Sequence, residues 1–143
     1  MIKLVASDLD GTLLRNGAQQ LNPQVFDLIR RLRELGVLFV AASGRQFPIM
    51  RTMFGPVADE IGYICENGAL VYAEQKFLYQ DTLPEDLAKE IMEAIWERDG
   101  AEMTMSGIYT YYVRPKTEEF RRLIWDYLKI TCKEVKDFEH FPE

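Results

Sequence analysis

Basic charge, cysteine and histidine are all scarce in this chain, and it has no long apolar run. Its 17 lysines and arginines are outnumbered by 23 aspartates and glutamates, giving a net charge of -6. Non-specific binding to nucleic acid or to an anionic membrane needs a basic footprint, so both are disfavoured as partners. The acidity serves solubility and leaves room for a locally positive site that takes a small anion. The two cysteines, Cys65 and Cys132, form no CxxC pair and have no metal-ligand spacing. Cys65 sits in an apolar run and reads as a buried structural thiol. The single histidine, His140, lies at the tail with no partner in the sequence and reads as exposed. No stretch is long enough to span a bilayer. Residues 1–7 meet an aspartate before an apolar core of signal-peptide length can form. Together these absences point to the reducing cytoplasm. Internal repeats and low-complexity segments are missing too.

What is present is ordinary for a globular protein: 143 residues, 48% hydrophobic and 28% charged. That length suffices for one domain, or for one domain and part of a second, with a core that needs no staples.

Residues 2–6 are a short run of β-formers ending at Ser7-Asp8 and predict a buried parallel strand. Gly11 and Gly17 punctuate a loop. Asn22-Pro23 supplies an N-cap with proline at the first helical position. Val25, Leu28, Ile29, Leu32 and Leu35 then recur at helical spacing until Gly36 stops the helix. Arg30, Arg31 and Arg33 read as its solvated face. Residues 37–42 predict a second strand, about 47–54 a short helix, and 63–65 a third strand. Glu66-Asn67-Gly68 turns the chain into residues 69–72, expected to form a hairpin with 77–79. Strand, helix, strand, helix, strand implies a parallel sheet covered by helices on its faces.

From about residue 82 the texture changes. Residues 84–98 predict a helix with Leu87, Ile91, Ala94 and Ile95 on its buried side. Strands are expected at 102–105 and 109–113, with Tyr109, Tyr111 and Val113 sharing one face. A helix capped by Thr117 carries Phe120, Leu123, Ile124 and Tyr127, and a last strand is expected at 131–135. Trp96 and Trp125 are expected in the core. The fold class is α/β: a partial Rossmann-like sheet over residues 1–81, followed by an incomplete α+β cap over 82–143.

Asp8-Leu9-Asp10-Gly11-Thr12 lies just past the first strand, at the edge where open α/β sheets bind ligands. Of two carboxylates separated by one residue, one can attack phosphorus while the other handles protons. Gly11 would allow a tight reversal and leave backbone N–H groups to face an anion. A hard divalent cation is expected at Asp8 and Asp10, because two carboxylates repel a phosphate dianion. Ser43-Gly44-Arg45 follows the second strand and belongs on the same edge. It reads either as a phosphate cradle at a helix start or as a turn with Ser43 as N-cap. Asn67-Gly68 makes a third loop there, which a β-turn alone would explain.

Asp8-Leu9-Asp10-Gly11-Thr12-Leu13-Leu14, Ala42-Ser43-Gly44-Arg45 and Glu66-Asn67-Gly68-Ala69 resemble the Cof-type, sugar-phosphatase-like branch of the haloacid dehalogenase superfamily. The resemblance implies that Asp8 is the nucleophile and forms an aspartyl-phosphate. It implies that Asp10 protonates the leaving alcohol and then activates water. Mg²⁺ would be held by the Asp8 carboxylate and the Asp10 main-chain carbonyl. Ser43, with backbone N–H groups of Leu9, Asp10 and Gly44, would hold phosphate oxygens, and Thr12 would support the loop. Arg45 and Asn67 would contact substrate near the mouth. The implied substrates are small phosphorylated metabolites such as sugar phosphates, selected by a closing cap.

Two family motifs are missing. No lysine has the context of the third; Lys129, Lys133 and Lys136 lie in the cap-like part. No Gly-Asp sequence exists for the acidic fourth. The chain therefore reads as a member truncated within the cap near Phe141-Pro142-Glu143. Losing those fixed charges would impair catalysis, commonly by a factor of hundreds or more. The family's sheet also places the fourth-motif strand beside the first. Without it, residues 2–6 become an apolar edge and a template for self-association, or for another chain that supplies the missing half. Alternatives to a phosphatase are a non-catalytic fragment that keeps only a phosphate- or metal-binding loop, and a phosphomutase.

Overall fold

Pairing with the second strand decides where the first begins. In the computed structural model, which describes residues 1–127 and 131–137, β1 is Leu4–Asp8, with Leu4 opposite Leu38 and Asp8 opposite Ala42. It starts later than the apolar run suggests and carries Asp8 as its last residue. His140, Lys129 and residues 141–143 lie outside the described residues.

Two compact units divide the chain, Met1–Thr82 and Leu83–Glu143. In the first, α1 (Pro23–Glu34) opens as its sequence dictates: the Asn22 side chain accepts from the Gln24 N–H at 2.9 Å, and Pro23 needs no acceptor. Gly36, at φ 71°, ends it. Ile29 is buried, but Leu28 and Leu35 of the predicted apolar stripe are exposed. A helix resting on one sheet face needs fewer contacts than a stripe of five residues offers. β2 (Leu38–Ala42), α2 (Phe47–Met53), a 3₁₀ turn at Gly55–Val57 and β3 (Gly62–Cys65) follow. After a second 3₁₀ turn at Glu66–Gly68 come β4 (Leu70–Ala73) and β5 (Lys76–Gln80).

The sheet order is β1-β2-β3-β4-β5, parallel through β3 and antiparallel beyond it. β1 is therefore an edge strand. Side-chain alternation gives the sheet two different faces. One face presents Phe39, Ala41, Tyr63, Cys65 and Leu70 to Ile29, Phe47, Met50, Phe54 and Val57, forming one buried cluster. All the helical residues of that cluster sit on this face. Two right-handed crossovers that step the same way along a sheet put both helices on the same side. The expectation of helices on both faces is thus corrected among the described residues: Leu4, Ala6, Leu38, Ile64 and Val71 point to the other side, and none belongs to the cluster.

The second unit holds α3 (Glu85–Trp96), β6 (Thr104–Ser106), β7 (Tyr111–Val113), α4 (Glu118–Arg122) with a π turn at Leu123–Tyr127, and β8 (Cys132–Glu134). β7 is the central strand, antiparallel to β6 and parallel to β8. Met92, Val113, Ile124 and Val135 are buried. α3 turns a different face inward than predicted: Met92 is buried while Leu87 and Ile91 are exposed. Tyr109 lies outside β7 and is exposed. The tryptophans are only partly buried. Trp96 lies beneath the Arg114 guanidinium at 4.0 Å and near the Lys116 ammonium at 5.2 Å, and Trp125 faces Arg121. Lys116 also donates to the carbonyls of Ile95 and Arg98, closing the C-terminal end of α3.

Candidate active site

Parallel register brings three loops to one rim of the first unit. Because Asp8 pairs with Ala42 and Ala42 with Ile64, the residues after β1, β2 and β3 all emerge at the carboxyl edge. Asp8 and Asp10 are exposed on either side of Leu9, which is fully buried and anchors the loop in the core. The loop is closed by its own backbone. The Gly11 N–H donates to the Leu14 carbonyl at 2.9 Å, and the Thr12 and Leu14 N–H groups both donate to the Leu9 carbonyl. Gly11 takes φ 85°, which a side chain would resist. Its own N–H is taken up by this closure. Thr12 contributes through its backbone, whose carbonyl also accepts from Arg15 Nε at 3.1 Å. Neither the Asp10 nor the Gly44 N–H has an acceptor among the described residues.

Ser43 and Gly44 form a turn rather than a helix start. The Ser43 hydroxyl oxygen accepts from the Arg45 N–H at 3.2 Å, while α2 begins three residues later behind Gln46. The N-cap reading of Ser43 is thus corrected: Gln46 takes that position, and Ser43 and Gly44 lie in the loop ahead of the helix. Gln46 and Phe47-Pro48 set the helix boundary because Pro48 fits only the first turn.

Arg45 ties the second loop to the first. Its Nη2 donates to Asp10 Oδ1 at 2.8 Å and its Nε to Asp10 Oδ2 at 3.1 Å, a two-pronged ion pair. These hydrogen bonds hold the Asp10 carboxyl below the usual carboxylate range and raise the Arg45 guanidinium, against a smaller opposing effect of burial. As arranged, Asp10 is a carboxylate, and Arg45 is turned to it rather than left open for substrate. The Asp8 carboxylate has no hydrogen bond or ion pair among the described residues.

The third loop closes on the second. The Glu66 N–H donates to the Arg45 carbonyl at 3.2 Å. Asn67 lies directly over Gly44: a Cβ there would be 2.7 Å from Asn67 Oδ1. Glu66, Asn67 and Gly68 all have positive φ, at 52°, 55° and 101°. Three successive residues in the left-handed region make a tighter reversal than the β-turn expected, and such strain concentrates at functional sites. The sequence reading missed two things here. Arg45 clamps Asp10, which the pairing of β1 with β2 could have revealed. Gly44 is small because Asn67 needs the space.

Among the described residues no group of three or more His, Cys, Asp or Glu side chains could enclose a metal. The donors on the rim nevertheless fit a sparse site. Mg²⁺ commonly uses one or two carboxylates, with water and phosphate completing its shell. An exposed, unpartnered Asp8 carboxylate suits that role.

A model of haloacid dehalogenase-like hydrolases matches residues 5–141. The 5-amino-6-(5-phospho-D-ribitylamino)uracil phosphatase of Escherichia coli strain K12 is 25% identical over 142 residues, 99% of this chain and 52% of that protein. The HMP-PP phosphatase of Shigella flexneri is 33% identical over 98 residues, 68% of this chain and 36% of that protein. A solved structure from Eubacterium rectale superposes with a TM-score of 0.85 at 26% identity, covering 99% of this chain and 54% of the other. The chain thus spans about half the length, or less, of the curated relatives it matches.

Proposed function

The chain belongs to the haloacid dehalogenase-like hydrolases, and we propose on that footing that it is built for Mg²⁺-dependent hydrolysis of small phosphorylated metabolites through an aspartyl-phosphate. The supporting observation is the convergence of Asp8, Asp10 and Ser43 on one rim, held together by Arg45 and Asn67. Asp8, unpartnered, attacks phosphorus; the new bond joins its carboxylate oxygen to the phosphoryl group as the bond to the alcohol breaks. The alcohol takes a proton from Asp10. Since Arg45 holds Asp10 ionised, Asp10 must leave that pair and gain a proton before it can act as an acid. As a carboxylate it is ready for the second step, in which it takes a proton from the water that attacks the aspartyl-phosphate. The Ser43 hydroxyl and the N–H groups of Asp10 and Gly44 are donors for the phosphate oxygens; Leu9 N–H and Thr12 complete the loop. The Asp8 carboxylate and the Asp10 carbonyl would hold Mg²⁺, which when bound would neutralise charge between carboxylate and phosphate.

The phosphatase names of the relatives support the phosphoryl chemistry and the metabolite class of substrate. No described helix is long and apolar enough to cross a membrane. The two cysteines are free, which agrees with a cytoplasmic setting.

A second reading has its own support. The rim holds too few acidic groups to enclose a metal among the described residues, and the chain spans about half of its relatives. On this reading the chain keeps a phosphate- or metal-binding loop without turnover. Release of phenolate from an aryl phosphate, with and without Mg²⁺, separates the two. Turnover that requires Mg²⁺ and vanishes in Asp8→Asn supports the enzyme. Turnover that survives Asp8→Asn removes Asp8 from the mechanism, and Mg²⁺ binding without turnover selects the second reading.

A further inference from the structure

A rim that takes a phosphate needs positive charge, and its three loops carry only two cations, Arg15 and Arg45. Arg45 is engaged by Asp10 through both of its prongs. Arg15 is exposed and has no acidic partner among the described residues. It is nevertheless fixed in place. Leu14, just before it, pairs with Asp10 in an isolated bridge and is buried, which turns Arg15 outward beside the exposed Asp10. Just after it, Asn16 and Gly17 take positive φ, 57° and 73°. The Ala18 N–H donates to the Arg15 carbonyl at 3.1 Å and closes a tight turn.

The side chain is anchored as well. Arg15 Nε donates to the Thr12 carbonyl at 3.1 Å. A guanidinium is planar and carries five N–H donors, so this bond sets the plane and leaves the four N–H groups of Nη1 and Nη2 without an acceptor among the described residues. Such a fork matches a carboxylate or a phosphate, and holding it in advance lowers the ordering cost of binding. Its position decides which anion it can meet. Asp8 begins the nucleophile loop, and the donors for the transferred phosphoryl group, Ser43 and the N–H groups of Asp10 and Gly44, gather around it. Arg15 stands on the returning limb of the loop, past Asp10 and Gly11. It therefore faces another part of the same molecule.

We propose that Arg15 is a specificity-determining residue that binds a second anionic group of the substrate, a carboxylate or a further phosphate. The preferred substrates are then phosphorylated metabolites with two anionic ends. This inference rests on the reading of the rim as a phosphate site and narrows the substrate class of that site.

The test measures binding to the full chain by calorimetry, with Mg²⁺ present throughout. Phosphonates serve as probes because their phosphorus–carbon bond resists hydrolysis, so the result does not depend on turnover. Propylphosphonate carries one anionic end, 3-phosphonopropionate adds a carboxylate, and ethylene-1,2-bisphosphonate adds a second phosphonate. The proposal expects at least one two-ended probe to bind about fivefold more tightly than propylphosphonate, the scale of one exposed charge pair. The probe that gains more identifies the second group as carboxylate or phosphate. Arg15→Gln should bring the ratio near one and leave propylphosphonate binding unchanged, while Arg15→Lys keeps part of the gain. Arg31→Gln removes the same charge from the exposed side of α1, where no carboxylate holds it, and should leave the ratio intact. A ratio near one in the parent chain, one that survives Arg15→Gln, or one that Arg31→Gln lowers equally overturns the proposal and leaves the phosphate site standing. Equal weakening of all three probes by Arg15→Gln also overturns it, since Arg15 would then only brace the loop through Thr12. If propylphosphonate itself fails to bind, the phosphate-site reading falls and the proposal falls with it.

Discussion

The pair between Arg45 and Asp10 should contribute a measurable and pH-dependent part of the first unit's stability. The guanidinium makes two charge-assisted hydrogen bonds, at 2.8 and 3.1 Å, yet the Asp10 side chain is 60% exposed and that of Arg45 31%. Solvent screening at that exposure brings a two-pronged pair down to about 1 kcal/mol. For a unit of this size that is roughly 4–8 °C in melting temperature. Arg45→Ala alone would overstate the pair, because Arg45 Nη1 also approaches Met53 Sδ at 3.8 Å. A double-mutant cycle of Arg45→Ala and Asp10→Ala isolates it. The pH dependence has a definite sign. Folding lowers the Asp10 pKa, with the Arg45 hydrogen bonds as the first cause. The contribution is therefore complete above the ordinary carboxylate value of about 3.9 and disappears as pH falls through the lower folded value. Urea unfolding of the four proteins at about pH 6.5 and about pH 2.5 should give a coupling near 1 kcal/mol at the first and almost none at the second. A coupling of zero at neutral pH, or one that persists unchanged in acid, would refute the pairing as described. Arg45→Lys should recover less than half of it, since an ammonium cannot form the fork.

Gly44→Ala should push Asn67 off the turn, because the new Cβ would lie 2.7 Å from Asn67 Oδ1. Asn67 is exposed and its amide can swing away, so thermal unfolding should show a loss below about 1 kcal/mol, while the KM for an aryl phosphate rises. In an Asn67→Ala background Gly44→Ala should add nothing to either measurement, and an undiminished effect there would place the crowding elsewhere. Cys65 should resist thiol reagents in the folded chain: it is fully buried, and burial, aided by Glu66, pushes its thiol up to about 12. At about pH 8, peptide mapping should find Cys132, which is only half-buried, labelled first and Cys65 labelled only after unfolding. Equal labelling rates would contradict the core as described.

Much of the first unit was readable because its signals are local and redundant. Asn22-Pro23 and Gly36 bracket α1 through capping and backbone freedom alone. The Asp8, Ser43 and Asn67 loops could be assigned to one rim because three short apolar runs joined by helices must lie parallel, and parallel strands end on the same side. α3 was harder. Its sequence carries two apolar stripes, Leu87-Ile91-Ala94 and Ala88-Met92-Ile95, and helical spacing cannot choose between them. The choice falls to tertiary packing: Met92 shares the lining of a small cavity with Met105, Val113 and Val135, and it is the residue that is buried. Trp96 escaped in the same way. Its position beneath Arg114 depends on residues 18 apart in the chain, a contact that no periodicity records.

What the sequence could least convey was how the acidic pair divides. Asp8 and Asp10 differ by one residue and one intervening leucine, and composition makes them equivalent. Burial of Leu9 turns both outward, and strand register then brings Arg45 to one of them alone. The asymmetry lies in the partner, because an arginine two residues past Ser43 reaches across a single strand spacing. An unpartnered carboxylate can bind a cation or attack phosphorus, while a clamped one is held ionised and in place. The proposed division of labour between nucleophile and proton carrier would start from this asymmetry, in which the guanidinium reaches Asp10 and leaves Asp8 open.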